Sequence, residues 1–273
     1  MRDRFRAAAL ESPELDARLL AQHAFGLDAM GLIRREREPL SAQWAIELER
    51  AALRRLAGEP VSRIIGAREF WGLRFALNGA TLDPRPETEM LVAEAIAHGQ
   101  RRESPVIADL GTGSGAIAIA IADALGEARL VATDLSDEAL AQARANAERL
   151  GVAGRIDFRQ GSWWQAVPHT ESFDVIVSNP PYIASGMIGQ LQAEVRLFDP
   201  RAALDGGFDG LDAYRAIAAQ APRRLRPGGL VAVEIGATQG QTVSRIFARA
   251  GFGRVDVQKD LAGLDRVVTA SHS

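Results

Sequence analysis

The 273-residue chain is 47% hydrophobic and 25% charged, a globular composition with room for one large domain or two modest ones. Its lack of cysteine excludes disulfide scaffolds, thiolate metal sites, iron–sulfur clusters and any mechanism built on a thiol nucleophile. A formal net charge of −3 leaves no polybasic footprint for nucleic acid or a membrane surface.

Arg2, Arg4 and Arg6 open the chain, but acidic residues rather than an apolar run come after them, so no secretory leader is expected. The apolar stretch from Ala116 to Ala122 is far too short to span a bilayer, and a cytoplasmic protein is the reading. A first amphipathic helix starts after Ser12-Pro13 and sets Leu15, Leu19, Leu20 and His23 on one face. A second opens at Ser41, aligns Trp44, Leu48, Ala52 and Leu56, and stops before Gly58. Residues 1–68 are therefore expected to form a small helical bundle. Residues 69–86 form a connector: Phe70, Trp71, Leu73, Phe75 and Leu77, punctuated by Gly72 and Gly79, predict a hairpin, and Pro84 and Pro86 stiffen the segment after it. Leu91, Val92, Ala95 and Ile96 then mark the apolar face of another helix.

Residues 87–273 complete an α/β domain. Strand signals at 106–110, 130–133, 156–159, 175–178, 230–235, 253–257 and 266–270 alternate with helical segments at 114–125, 137–150, 211–225 and 239–250. That alternation predicts a doubly wound, mostly parallel, seven-stranded sheet.

Asp109-Leu110-Gly111-Thr112-Gly113-Ser114-Gly115-Ala116 joins the first of these strands to its helix. Glycines let a backbone turn sharply and approach a ligand where a Cβ would clash. Asp134 stands at the end of the next strand, where a carboxylate can accept both hydroxyls of a ribose. Gly111, Gly113 and Ala116 also satisfy the relaxed dinucleotide fingerprint, so the loop suits a dinucleotide or S-adenosylmethionine. In the second case Asp109 could meet the ammonium, and the helix N-terminus the carboxylate. A tight turn without ligand is the bland alternative.

The fourth strand runs directly into Asn179-Pro180-Pro181-Tyr182. Two prolines end the strand pairing and hold the turn stiffly at the sheet edge where such folds bind ligands. The chemistry suits a planar conjugated NH2, whose delocalised lone pair makes the nitrogen a poor nucleophile. The Asn179 side-chain oxygen and the Pro180 carbonyl can each accept one N–H, and Tyr182 can stack on the planar group, a contact worth roughly 1–3 kcal/mol for bases. No ionisable base stands in the tetrapeptide, so the proton is expected to leave late, to water. Nothing in the sequence suggests a metal site.

With these residues assembled, the chain resembles the bacterial release-factor glutamine methyltransferases, a group of class I S-adenosylmethionine-dependent enzymes. The resemblance runs through Leu15-Asp16-Ala17, Gly58-Glu59-Pro60, Glu69-Phe70-Trp71, Pro84-Arg85-Pro86-Glu87-Thr88-Glu89, Gly111 to Gly115, Asp134, Trp163, Asn179 to Tyr182, Arg226-Pro227-Gly228-Gly229 and Arg266-Val267-Val268. Asn-Pro-Pro-Tyr is shared with adenine methyltransferases, whereas the Pro-Arg-Pro-x-Thr-Glu connector is much more specific to the glutamine enzymes. The resemblance implies methyl transfer to the side-chain N5 of the glutamine in the Gly-Gly-Gln loop of peptide release factors, with S-adenosylhomocysteine as the product. It implies that Gly111, Thr112, Gly113, Ser114, Gly115, Asp134, Trp163 and Asn179 bind the cofactor. Asn179, Pro180, Pro181 and Tyr182 would hold the glutamine amide, with Asn179, Pro180 and Tyr182 in the catalytic roles. The N-terminal bundle would dock the release factor, with no stable nucleic-acid or membrane partner. Asp83, Ser62-Arg63 and Ser162 depart from the family pattern. The alternatives are an N6-adenine methyltransferase acting on DNA or RNA, or glutamine methylation of a ribosomal protein. A nucleotide-sensing module leaves the tetrapeptide unexplained. A dehydrogenase lacks its expected partner residues.

Overall fold

The structure, a computed structural model, describes residues 1–272. It divides into two compact units, the first comprising Met1–Ala67 together with Gln192–Phe198, the second the remainder.

The first unit contains α1 (Arg2–Ala7), α2 (Pro13–Phe25), α3 (Ala29–Arg34), α4 (Ala42–Leu56) and α5 (Val61–Ile65). Pro13 occupies the first turn of α2, where its missing N–H costs nothing, and left-handed Gly26 ends it. Ser41 caps α4 by accepting from Trp44 N at 3.2 Å. Phe5, Ala17, Leu20, Ala51, Ala52 and Ile64 form the core, and Phe25 stacks on Trp44 with ring centroids 4.7 Å apart. The buried face of α2 is rotated from the expected one: Leu15 is exposed while Asp16 is buried. The cause is electrostatic. Asp16 Oδ2 accepts from Arg55 Nε at 2.7 Å, and Arg55 Nη1 donates to Glu194 Oε1, also at 2.7 Å. The late segment Gln192–Phe198 is thereby pinned into the helical unit.

The second unit opens, from Arg68, with the hairpin of β1 (Ala67–Phe70) and β2 (Leu73–Ala76). Trp71 and Gly72 form its two-residue loop, both at positive φ, the backbone twist that two-residue hairpins favour. A 3-10 turn at Pro86–Thr88 leads into α6 (Glu89–Gly99). Next come β3 (Val106–Leu110), α7 (Ala116–Ala124), β4 (Arg129–Asp134), α8 (Asp137–Arg149), β5 (Ile156–Gln160) and β6 (Phe173–Ser178). After α9 (Ala193–Phe198), counted with the first unit, come α10 (Asp212–Arg224), β7 (Leu225–Glu234), α11 (Gly240–Arg249), β8 (Arg254–Lys259) and β9 (Asp265–Ser271). The sheet has seven strands in the order β5-β4-β3-β6-β7-β9-β8, parallel except for β9. Both faces are covered. Leu91, Val92, Ala95 and Ile96 of α6 and the apolar face of α7 close one side; Tyr214, Ile217 and Phe247 of α10 and α11 close the other. Such burial on two faces is why β3 and β6 are predominantly hydrophobic, each interrupted by a single buried carboxylate, Asp109 or Asp174.

Arg55→Ala is expected to leave the Asp16 carboxylate buried without a counter-charge and to cost about 3 kcal/mol. Chemical denaturation should show an earlier transition, and the Gln192–Phe198 segment should become a preferred site of limited proteolysis.

Candidate active site

Strand order reverses between β3 and β6, so the loops leaving their carboxyl ends diverge and open a crevice. The register pairs Asp109 with Val177, and Ser178 Oγ donates to Leu110 O at 2.6 Å, locking the two strand ends together.

On the β3 side the loop is held from β4. Gly111 N and Thr112 N both donate to Thr133 O, at 2.8 and 2.9 Å. Gly113, with φ +56°, donates its N–H to Asp134 Oδ2 at 2.8 Å, and Ser136 N donates to Asp134 Oδ1 at 2.9 Å. A carboxylate has about four acceptor sites, so each Asp134 oxygen keeps one for another donor. A Cβ at Gly113 would meet nothing within 4 Å, so ligand approach to this backbone is open. Gly115 serves packing instead: a Cβ there would lie 2.8 Å from Ile119 Cδ1 and 3.1 Å from Ala143 Cβ.

Beneath the loop, Asp109 is fully buried. Its Oδ2 accepts from Thr112 Oγ1 at 2.6 Å and from Ala118 N at 3.2 Å, while Oδ1 has no hydrogen-bond partner. Burial pushes this carboxyl up to about 7; the bonds from Thr112 and Ala118 pull it down and the charge of Asp134 raises it further. A buried polar atom without a partner calls for a donor from outside the chain. Trp163 adopts φ +50°, and its ring lies 3.5 Å from where a Gly111 Cβ would stand.

On the β6 side, Asn179 Nδ2 donates to Thr88 Oγ1 at 3.1 Å, and Thr88 Oγ1 donates to Glu234 Oε2 at 2.5 Å. Glu234 ends β7, is buried, and has its carboxyl pushed up to about 7 by desolvation. Hydrogen bonds from Thr88 and Asn179 and the charge of Arg266 oppose that rise, whereas Glu87 adds to it. Pro180 is buried, and the half-buried Tyr182 lies against Gly236, its hydroxyl pushed up to about 12 mainly by burial. The backbone beyond Tyr182 is gripped by the 204–210 loop: Ile183 N donates to Leu204 O at 3.0 Å, and Gly206 N to Ile183 O at 2.8 Å. Gln239 joins the pieces, its Nε2 donating to Tyr182 O at 2.9 Å and Gly210 O at 3.2 Å while its Oε1 accepts from Gly236 N at 2.9 Å.

These elements enclose a cleft of about 300 Å³. Gly111, Thr112, Gly113, Ser114, Asp134, Trp163, Asn179 and Pro181 line it, as do Leu82, Pro84 and Thr88 from the connector. Gly115, Pro180 and Tyr182 stand outside that lining. The connector is anchored twice: Arg85 pairs with the buried Asp199 at 2.8 Å, and Asn146 bridges β2 to the glycine loop. The Asn146 amide accepts from Ala76 N at 2.9 Å and donates to Ala76 O and Ser114 O, both at 3.0 Å.

Two family profiles match the chain, the PrmC N-terminal domain over residues 1–66 and the methyltransferase small domain over residues 86–202. The release factor glutamine methyltransferase of Cereibacter sphaeroides is 47% identical over 98% of this chain and 94% of its own length. That of Bradyrhizobium diazoefficiens is 48% identical over 98% and 91%. The chain belongs to the release factor glutamine methyltransferase family. It is thus an S-adenosylmethionine-dependent methyltransferase. Among solved structures, a methyltransferase from Pyrococcus furiosus is 19% identical and superposes with a TM-score of 0.56 over 81% of this chain and 98% of that one. A 16S rRNA methyltransferase of T. thermophilus, in complex with AdoMet and guanosine, is 18% identical with a TM-score of 0.56 over 76% and 50%. These two share the fold. No helix among the described residues is long and apolar enough to cross a membrane.

Sequence reasoning passed over the chemistry of four residues. Thr88 was visible only as part of the connector pattern, and Gln239 carried no signal. Glu234 and Asn146 did carry one, each being polar within an otherwise buried run of its strand or helix.

Gly210 adopts φ +75°, and a Cβ there would overlap the Tyr182 carbonyl oxygen. Gly210→Ala is expected to cost roughly 1–3 kcal/mol in backbone strain and to lower turnover by displacing the 179–182 segment. Thermal unfolding and a turnover assay check the two effects separately.

Proposed function

We propose that this enzyme transfers a methyl group from S-adenosylmethionine to the N5 side-chain nitrogen of the glutamine in the Gly-Gly-Gln loop of peptide release factors. One observation carries the reading: Asn179 lines the same cleft as the glycine loop and Asp134, so an amide held by Asn179 lies within reach of a nucleoside held by that loop.

The chain's own residues suit the cofactor. Each Asp134 oxygen accepts one backbone N–H, and the acceptor positions that remain match two ribose hydroxyls. The unpartnered Asp109 Oδ1 suits an ammonium, directly or through water. Trp163, which lines the cleft, would lie along the nucleoside. When bound, S-adenosylmethionine supplies an electrophilic methyl on a sulfonium centre. Asn179 Oδ1 and the Pro180 carbonyl accept the two N–H groups of the glutamine, orient its nitrogen, and favour the positive charge that develops there. Pro181 and Tyr182 hold the planar amide in place, and the proton leaves late, to water. Placing nitrogen and methyl in line is the main catalytic contribution. The helical unit docks the release factor in the cytoplasm.

The deciding assay incubates the protein with labelled S-adenosylmethionine and, separately, a release factor, its Gln-to-Ala loop variant, a ribosomal protein, duplex DNA and ribosomal RNA. Label is expected on the release factor and lost in the loop variant. Label on nucleic acid or on the ribosomal protein alone overturns the substrate assignment. Asn179→Ala is expected to abolish transfer while largely sparing cofactor binding by calorimetry, and unchanged turnover would refute the role of Asn179.

Asp109 makes cofactor binding depend on pH. Its carboxyl titrates at about 7 rather than in the ordinary range, and a cationic ammonium favours the ionised form. Cofactor affinity is therefore expected to hold above neutrality and weaken as pH falls through about 7. Asp109→Asn should flatten that dependence in calorimetric titrations.

A further inference from the structure

An asparagine amide can help an acceptor nitrogen only if its oxygen, not its NH2, faces that nitrogen. The hydrogen bonds behind Asn179 decide which end is presented. Glu234 Oε2 lies 2.5 Å from Thr88 Oγ1, and an ionised carboxylate has no proton to give, so Thr88 donates its single hydroxyl hydrogen there. Thr88 Oγ1 can then only accept, and the Asn179 atom 3.1 Å away must be the Nδ2 donor. The flipped amide would set two acceptors against each other, at a buried position where an unmade bond is costly. Sheet register makes the arrangement possible: Ser178 on β6 pairs with Val233 on β7, so Asn179 and Glu234 leave adjacent strand ends side by side.

We propose that Thr88 and Glu234 are positioning residues that fix the polarity of the Asn179 amide, turning its oxygen toward the acceptor N–H. This rests on the role given to Asn179 above. It also supplies a chemical reason for the threonine of the Pro-Arg-Pro-x-Thr-Glu connector, which otherwise stands remote from the reacting atoms in sequence.

The relay is sensitive to protonation. Facing Glu234 are Arg266 from β9, Glu87 and Thr88 from the 3-10 turn, Asn179 and Tyr182 from the segment after β6, and Tyr214 from α10. Burial outweighs the donors and the arginine and brings the carboxyl to about 7. Once protonated, Glu234 can donate to Thr88, which frees the Thr88 hydrogen to turn toward Asn179 and removes the preference for one amide orientation.

The test uses the full-length enzyme, saturating labelled S-adenosylmethionine and a purified release factor. Thr88→Val, Thr88→Ser, Glu234→Gln and Asn179→Ala are compared in kcat, KM, calorimetric cofactor Kd and the pH profile of kcat. Thr88→Val and Glu234→Gln are expected to lower kcat by about tenfold or more, the scale of one lost oriented hydrogen bond, with cofactor Kd within about twofold of wild type. Thr88→Ser, which keeps the hydroxyl, is expected to restore most of kcat. In the wild type kcat should fall as pH drops through about 7, and Glu234→Gln should remove that limb. Wild-type kcat in Thr88→Val, or an equal loss in Thr88→Ser and Thr88→Val, overturns the proposal. So does an acid limb that persists in Glu234→Gln. If Glu234→Gln does not fold, the serine and valine pair decides alone. Full turnover in Asn179→Ala would instead remove the underlying reading, whereas an inactive Asn179→Ala beside a fully active Thr88→Val removes only this inference.

Discussion

The pairing of β3 with β6 is the constraint on which the site depends. These strands are far apart in sequence, yet they are neighbours in the sheet and both point their carboxyl ends at the same edge. Because the order reverses between them, their outgoing loops turn to opposite faces and leave a crevice. The glycine loop and Asn179 face each other across it. A one-residue slip in this register would turn every side chain on the strand to the opposite face. The bond from Ser178 to Leu110 holds the register at the end where it matters.

Two buried carboxylates flank that edge, and both are held in the same way. Asp109 and Glu234 each accept from a threonine hydroxyl at short range, and both titrate near neutrality because burial disfavours charge. Burying them carries a desolvation cost, which their hydrogen bonds offset in part. Their value lies in orientation. Asp109 holds the loop and the start of α7 by the Thr112 and Ala118 bonds; Glu234 holds Thr88, and Thr88 holds Asn179. In the helical unit the buried Arg55 plays a comparable part with Asp16 and Glu194, satisfying charge while fixing where a chain segment lies.

Much of the second unit was legible from local pattern. Strand β3 runs over the residues its sequence signal predicted, and the remaining strands and main helices sit within two residues of theirs, except that β7 begins at Leu225, five residues before its predicted start and inside the predicted helix. A parallel sheet buried on both faces imposes long apolar runs, and these survive without tertiary context. The helical unit was read less well. Leu15 sits on the periodic apolar face, yet Asp16 is the buried residue, because its partner Arg55 lies on another helix and periodicity cannot register a salt bridge. The short helices α1, α3 and α5 have too few turns to show a period.

Sequence by itself determined the chemistry available: the glycines, the Asp134 carboxylate, the Asn-Pro-Pro-Tyr turn, the absence of a thiol, and the alternation that demands a doubly wound sheet. Each is a property of a residue type or of a short spacing. Tertiary structure decided which of these groups meet, and which end each presents. It brought Thr88 from the connector between Asn179 and Glu234, and it returned Gln192–Phe198 to the helical unit. The physical reason is that hydrogen-bond polarity and burial belong to pairs of groups. Thr88, Asn179 and Glu234 acquire theirs only when three separate stretches of chain arrive at one strand end.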